Sequence, residues 1–560
     1  MASNYTYPGV YVEEIPSGAR TLVGVSTSNT AFVGFFKKGP TDKAVQVTSY
    51  GDFDRIFGGL DVRSEASYAI KQYYLNGGQI AWVIRVMDGG KKADRTFIKD
   101  DADALKVTAI SKGKWGGFVQ VSIDHAVRED LAATEDQEAT AFNLVIREVE
   151  NHDGVNIVIR HEVHRNLTVI AGDSRYAKDV VNGNSEMVVI ELMGEELIPD
   201  ARAADVIGDP HEGDFFPLIF GDRAIADAFI DFFDASVAAS AAEATAIEAA
   251  EAAASVSAEA AAAAGAAPDD DDAAAAAVAA AEASATAADV ATAASAAAVA
   301  ALAATVAARD AFTAAERLAS ADADGVEPTV DGWATSSATL TGLEGSKTGI
   351  YRLENIAPEI FNLMCIPDAA RLTVAGAGKA VYTDAVTYCE KKRAFLLVDI
   401  PSGTDTIDEV LSWRTNDAPS VTRNAAVYFP RLKVSDPLNE NRMRNVAASG
   451  TLAGVYARTD ATRGIWVSPA GTDAGLRGAE IAVPMTDLEN GRINPRAINA
   501  LRAFPTFGKI SWGARTMKGD DQQADEYKYI PVRRLALYIE ESLYQGLHWA
   551  VFSPNDAPLW

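Results

Sequence analysis

Hydrophobic positions fall into three regimes along this chain. In the first, short uncharged runs alternate with amphipathic stretches. Residues 30–36 predict a buried strand closed by Gly39-Pro40, and Ser49 with Asp52 forms a capping box for a short helix. A second helix opens near Ser64, carries Ala66, Ile70 and Tyr73-Tyr74 on one side, and stops at Gly77-Gly78 before a strand over residues 80–86. After Gly89-Gly90 the pattern changes: 118–123, 142–149, 155–163 and 187–192 are strand-like runs separated by polar turns, which predicts an inserted β-rich domain. The α/β alternation resumes at Tyr351. Residues 356–361 read as helical or turn-like, 363–366 as a short strand ending at Pro367-Asp368, and 377–391 as a helix. A buried strand over 393–401, a helix over 407–413 and a strand over 425–429 closed by Pro430 follow. The last helix has Val532, Leu535, Ala536, Ile539, Leu543 and Leu547 at helical spacing, with Arg533, Arg534, Glu540, Glu541 and Gln545 outside that stripe. The stripe is expected to pack on the sheet.

Between the β-rich and the resumed α/β regions, alanine dominates residues 235–321. Alanine has the best helix propensity, and Pro268 followed by Asp269–Asp272 ends one helix and supplies cap and dipole-favoured charge to the next. The reading is an αα-hairpin with arms on the order of 45–70 Å at ~1.5 Å per residue. Its apolar residues are sparse, so Ala-Ala packing has to hold it together. At the other end, residues 10–15 form a β-branched, alternating run after Pro8-Gly9, an extended segment serving as a domain edge strand or as an arm that adds to another subunit's sheet.

Composition narrows the function classes. At 560 residues the chain exceeds one hydrophobic core, and 48% apolar with 23% charged residues fits a folded multidomain protein. Fifty Lys and Arg against 78 Asp and Glu leave a net charge of -28, which repels nucleic-acid phosphates and anionic lipid. Cys365 and Cys389 are the two cysteines and have no ligand spacing, so disulfides are not expected. The N-terminus lacks the basic and apolar regions of a signal peptide, and the uncharged stretch 290–308 is too poor in large apolar residues for membrane insertion.

Candidate chemistry is thin. Gly342-Leu343-Glu344-Gly345-Ser346-Lys347-Thr348 echoes a phosphate-binding loop with Asp399 as the acidic metal partner, giving a nucleotide-dependent enzyme as the alternative; its spacing fails, because Ser346 stands where a Gly is required. His161 and His164 lie three apart on a predicted strand and so point to opposite faces, unable to share a metal. Ser320, Asp322, Asp324, Gly325 and Asp331 fall at calcium-loop positions, but Asp replaces the bidentate Glu and Pro328 intrudes. No G-x-S-x-G elbow occurs. No catalytic residue, metal or cofactor is therefore expected.

Motifs near both ends carry a resemblance. Tyr7-Pro8-Gly9-Val10-Tyr11-Val12-Glu13-Glu14 pairs with Trp512-Gly513-Ala514-Arg515-Thr516, Tyr529-Ile530-Pro531-Val532-Arg533-Arg534-Leu535, Tyr538-Ile539-Glu540-Glu541-Ser542-Leu543 and Trp549-Ala550-Val551-Phe552-Ser553-Pro554-Asn555. Gly454-Val455-Tyr456-Ala457-Arg458-Thr459-Asp460, Arg463-Gly464-Ile465-Trp466, Pro469-Ala470-Gly471, Asn494-Pro495 and Ile498-Asn499 add to it. Together they resemble contractile tail sheath proteins of phage tails and related injection machines. The resemblance implies an α/β (α+β) multidomain fold whose core joins two distant parts: an arm over 1–20, core over 21–90, a β-rich outer domain over 91–234, the alanine-rich insertion over 235–322, a connecting segment over 323–348 and core again over 349–560. It implies a structural subunit that polymerises helically around an inner tube and contracts from a metastable state to drive the tube through a target envelope. Partners would be copies of itself, the tube protein, and baseplate and tail terminator proteins. Synthesis would be in a bacterial cytoplasm, without membrane insertion or direct nucleic-acid contact. Val10, Tyr11, Val12, Glu13 and Glu14 would form the intersubunit arm. Separately, Arg502, Lys509, Arg515, Lys518, Lys528, Arg533 and Arg534 concentrate positive charge near the end of an acidic chain; the candidates for facing the tube are Arg515, Lys518, Arg533 and Arg534, with ordinary solvated charge as the alternative. Sheath chains run on past the Leu-Trp that stands here as Leu559-Trp560, so a trimmed C-terminal end is also expected.

Overall fold

The computed structural model describes residues 22–99, 102–128, 131, 140–152, 155–193, 197–200, 215–219, scattered helical positions from 278 to 303, 336–372, 374, 376–523 and 525–555. The arm Val10–Glu14, the calcium-like loop and most of the alanine-rich segment lie outside the described residues. Among the described residues no helix is long and apolar enough to cross a membrane.

In chain order the first part supplies β1 (Thr30–Gly34), β2 (Val45–Val47), α1 (Tyr50–Phe57), α2 (Glu65–Asn76) and β3 (Ala81–Arg85). Both caps form as the side chains predict: the Ser49 hydroxyl accepts from the Asp52 N–H, the Ser64 hydroxyl accepts from Ser67, and Gly77 ends α2 in the left-handed region. The middle part holds β4 (Asp94–Lys99), β5 (Ala102–Ala109), β6 (Val119–Asp124), β7 (Phe142–His152), β8 (Val155–Leu167), α3 (Ala177–Asn184), β9 (Val188–Leu192) and β10 (Phe216–Pro217). These make a sheet of order β10-β6-β7-β8 and another of order β4-β5-β9, enclosing a core of their own around Phe97, Val121, Phe142 and Ile146. The pair β4 and β5 and the helix α3 were not anticipated from the pattern.

The last part contributes α4 (Ser337–Thr341), β11 (Leu363–Cys365), α5 (Ala377–Lys391), β12 (Phe395–Val398), α6 (Ile407–Asn416), β13 (Ala425–Phe429), β14 (Leu432–Asp436) and β15 (Arg442–Val446). Then come α7 (Ser449–Arg463), β16 (Glu480–Ile481), α8 (Asp487–Ile493), β17 (Ile498–Phe504), β18 (Gly508–Ser511) and α9 (Ile530–Gly546). One eight-stranded sheet joins the chain's two ends, in the order β18-β17-β13-β12-β11-β1-β3-β2. Its six middle strands are parallel, with Ala31 opposite both Trp82 and Met364, and antiparallel pairs close both edges. Parallel strands are covered on both faces, which explains their uniformly apolar runs. One face carries α5 and α6 through Val381, Ala385, Val410 and Trp413; the other carries α1, α2, α7 and part of α9. The architecture is thus α/β with a β-rich insertion.

The insertion leaves the sheet at Val86–Asp88 and the chain returns next to that point, where the Arg352 guanidinium donates to the Arg85 carbonyl at 2.9 Å. The 3-10 segment Gly349–Ile356 then leads into β11.

Helix α9 departs from expectation. Its buried side is Ile530, Pro531, Arg534, Leu537 and Glu541, while Val532, Ile539, Leu543 and Leu547 are each more than 40% exposed. The periodicity correctly marks a helix, but four of the six stripe residues face outward, with Leu535 and Ala536 half-buried. The sheet side is claimed instead by Arg534, which meets a buried acid.

Candidate functional site

Parallel α/β sheets bind ligands at the carboxyl ends of their strands, and that edge is where the nucleotide alternative would place its chemistry. It is filled by a polar knot. Asp368, just beyond β11, accepts from the N–H groups of Glu65 and Ala66 at 2.7 and 3.2 Å and of Phe35 at 2.9 Å, capping the start of α2. Asp399, just beyond β12, accepts from the Ser449 N–H at 2.9 Å at the start of α7. Carboxylates suit helix N-termini, where unpaired N–H groups and the helix dipole favour negative charge. The "Pro-Asp" and "Asp-x-Pro" strand endings are therefore the anchors of two helices. Arg431 follows β13, pairs with Glu65, and donates to the Ile400 carbonyl at 2.9 Å and the Asn445 side chain at 2.8 Å. Burial raises Glu65 to about 7 and Asp368 to about 6, with Arg431 and the backbone donors opposing it. These side chains are nearly inaccessible, so they position helices and do not meet substrate.

Lys347 is not brought to Asp399. It is exposed and donates to Asn355 at 2.9 Å. The loop before it follows the short helix α4, not a strand, and Leu343 N–H bonds to the Thr348 hydroxyl across it. A phosphate cradle needs a strand feeding a glycine loop and then a helix N-terminus, so the enzyme alternative loses its geometry. His161 and His164 both lie on β8, and among the described residues no group of three or more His, Cys, Asp or Glu gathers in a metal-holding arrangement.

The basic residues near the C-terminus are internally matched. Arg515 pairs with Asp521 at 2.7 Å, Lys518 with Asp525 at 3.0 Å, Lys528 with Asp521 at 2.6 Å, and Arg502 with Asp487 at 2.6 Å. Lys509 pairs with Glu480. Arg533 reaches Glu540 at 3.1 Å and Asn424 at 2.9 Å. Arg534 is buried, bidentate to Asp460 at 2.8 and 2.6 Å, with a further bond to the Thr27 carbonyl. Its charge is spent inside the core, so of the four tube-facing candidates Arg534 does not reach the surface of this chain.

What the last helix does present is apolar. Val532, Ile539, Leu543 and Leu547, with Tyr544, Val551 and Phe552 beyond, form an exposed run along α9 and its 3-10 extension His548–Phe552. Contiguous exposed apolar surface of this kind marks interaction sites. The signal for it was the stripe itself, read with the wrong orientation.

No protein-family model matches the chain. Among curated proteins it is similar to the tail sheath protein of Vibrio phage KVP40, 25% identical over 257 residues, covering 40% of this chain and 38% of that protein. It is also similar to a prophage major tail sheath protein of Pseudomonas aeruginosa, 28% identical over 235 residues, covering 40% and 57%. The tail sheath protein of Enterobacteria phage T4 is 29% identical over 185 residues, covering 31% and 27%. The matches thus span less than two thirds of each relative's own length.

Proposed function

We propose that this chain is the structural subunit of a contractile tail sheath. The observation that carries the reading is the sequence similarity to three curated proteins that are each named as tail sheath proteins. The fold supports it in outline: strands from residues 30–85 and from 363–511 share one sheet, and the β-rich segment lies between them in sequence. Copies polymerise helically around an inner tube, in an open assembly of head-to-tail contacts. They contract from a metastable extended lattice, whose stored packing energy drives the tube through an envelope without a nucleotide at firing. The core comprises residues 21–90 and 349–560, with 91–234 and 235–322 as outer insertions. Val10–Glu14 act as an arm that adds a strand to a neighbour's sheet. Arg515, Lys518 and Arg533 stand toward the tube, and baseplate and terminator proteins bound the polymer, assembled as a virion tail or contractile particle after synthesis in a bacterial cytoplasm.

Negative-stain electron microscopy of the chain, alone and mixed with a tail tube protein, tests this reading. Hollow, striated tubes are the expected product. Monomers at every concentration and salt condition would overturn it.

A further inference from the structure

The insertion meets the core along a cleft of about 640 Å3, within the ~300–1,000 Å3 range of ligand sites. The core lines it with Lys38, Lys43 and Arg55, and the insertion with Lys92, Lys112 and Arg160. Against these six cations the lining holds two carboxylates, Asp42 and Glu186. In a chain of net charge -28, that local reversal of sign stands out, because grouped like charges repel and low-dielectric walls focus their field.

Two of the nearby acids, Glu148 and Glu186, are already committed, while Asp42 has no ion pair among the described residues. Glu148 takes Lys38 at 2.9 Å and Arg160 at 3.6 Å, and Glu186 takes Arg160 at 2.8 Å and also Arg55. The Lys38–Glu148 and Arg55–Glu186 pairs tie insertion to core. Lys43 and Lys92 are exposed and have no ion-pair partner among the described residues. A second, independent feature lies in the same wall. Trp115 is 8% exposed, and its indole N–H has no acceptor, while the Lys38 ammonium sits 5.6 Å from the ring centroid. A buried donor left unpaired costs about 1–3 kcal/mol; the indole nitrogen is sealed from solvent, so an acceptor reaches it only if the wall shifts. Burial lowers the Lys38 pKa despite Glu148, so the ammonium gains from a further anion.

We infer that this cleft binds a carboxylate-rich peptide segment, donated by a second copy of the chain. The chain's longest run of one charge sign is Asp269–Asp272, set among small residues that add little bulk. Each copy in a polymer carries both this run and the cleft. The donor's identity rests on the polymer reading; the chemistry of the cleft does not. A nucleic acid fits less well, since its continuous charge, one per ~1.7 Å of duplex, meets the repulsion of the whole acidic chain.

Isothermal titration of the full-length chain at low salt separates these points. The probes are a peptide of residues 266–275, the same peptide with its four Asp changed to Asn, inorganic phosphate, and a single-stranded oligonucleotide. The acidic peptide is expected to bind, with at least ~10-fold weaker binding by the Asn peptide and by the variant Lys43→Ala/Lys92→Ala, whose unfolding should be unchanged. No binding, equal binding by the Asn peptide or the variant, phosphate binding as tightly as the peptide, or tighter oligonucleotide binding would each overturn the proposal. Sedimentation of the full chain carrying Asn at 269–272 tests the donor: unchanged self-association beside intact peptide binding would overturn the second copy as source. The peptide titration needs no self-association, so it fails independently of the sheath reading; the sedimentation result tests the donor alone.

Discussion

Helices α7 and α9 cover the same face of the sheet and touch one another, yet they solve opposite problems. Ten of the fifteen residues of α7 are buried, including Ser449, Gly450, Thr451 and Thr459, so it is sunk in the core on several sides. Its Gly450 and Gly454 let α2 approach: a Cβ on Gly450 would lie 2.2 Å from the Ala69 carbonyl oxygen, and one on Gly454 would lie 2.5 Å from that of Tyr73. Helix α9 has the stronger amphipathic period and buries less, with its polar Arg534 inward and its apolar stripe outward. A helix enclosed by its neighbours needs small and polar residues to fit them, whereas α9 keeps apolar positions that no described residue covers.

The largest effect is expected where the two helices meet. Arg534 and Asp460 are each 3% exposed at the side chain, and Arg534 also stacks 4.9 Å from the Tyr456 ring. Asp460→Ala leaves a buried guanidinium without its counter-charge and should lower stability by about 3–5 kcal/mol. Adding Arg534→Leu should recover much of that loss, because removing both charges also removes their desolvation cost. Urea denaturation followed by tryptophan fluorescence measures both; an additive double variant would break this account of the junction.

Next in size is the α2–α7 contact. Gly450→Val forces branched carbon against backbone that has no room to retreat, and about 3 kcal/mol of destabilisation is expected from overpacking. The same change at Gly491, where a Cβ meets nothing within 4 Å, is the control. Equal midpoints for the two variants would show that close approach does not hold α7.

A smaller effect concerns the carboxyl knot that anchors these helices. Glu65 has a folded-state pKa of about 7 against an ordinary value of 4.5, with burial the leading cause and one oxygen left unpartnered. A raised carboxyl pKa means that the folded state holds the proton more tightly, so its contribution is fully present below about pH 4.5 and is lost as pH rises through about 7. Asp368, raised to about 6, acts in the same direction. From Glu65 alone, stability should therefore fall by about 2–3 kcal/mol between pH 5 and 8, since each tenfold difference in proton affinity between folded and unfolded chain is worth ~1.4 kcal/mol. Glu65→Gln should flatten the decline, and an unchanged slope in denaturation midpoints across that range would refute the assignment.

How much of this was legible in the sequence depended on whether a signal was local. Helix Ala377–Lys391 and strand Ala425–Phe429 match their expected limits, because propensity, period and closing residues agree there. Ser49, Ser64 and Gly77 announced their caps for the same reason. The pair β4 and β5 was missed because DRTFIK and ADALKVTA mix charge and alanine with few β-branched residues, and their pairing is visible only once β9 lies alongside. The acidic caps of α2 and α7 were read only as strand endings, since Asp368 lies about 300 residues from the N–H groups it receives. The basic cleft was unreadable for a similar reason: Lys38 and Lys92 lie in two separate loops and Arg160 on β8, far apart in sequence.

The smallest expected effect sharpens the comparison most. Ile539→Ser with Leu543→Ser replaces two residues of the α9 stripe that are 46% and 41% exposed, so the isolated chain should change stability by no more than about 0.5 kcal/mol. If the stripe were secretly part of the core, the pair would cost several kcal/mol instead. Under the sheath reading the same variant should nevertheless fail to form tubes, because polar groups now occupy a surface that association has to dry. Normal stability with normal tubes would leave the stripe without an assembly role; normal stability with no tubes would show a helix whose hydrophobic face is finished only by a neighbour.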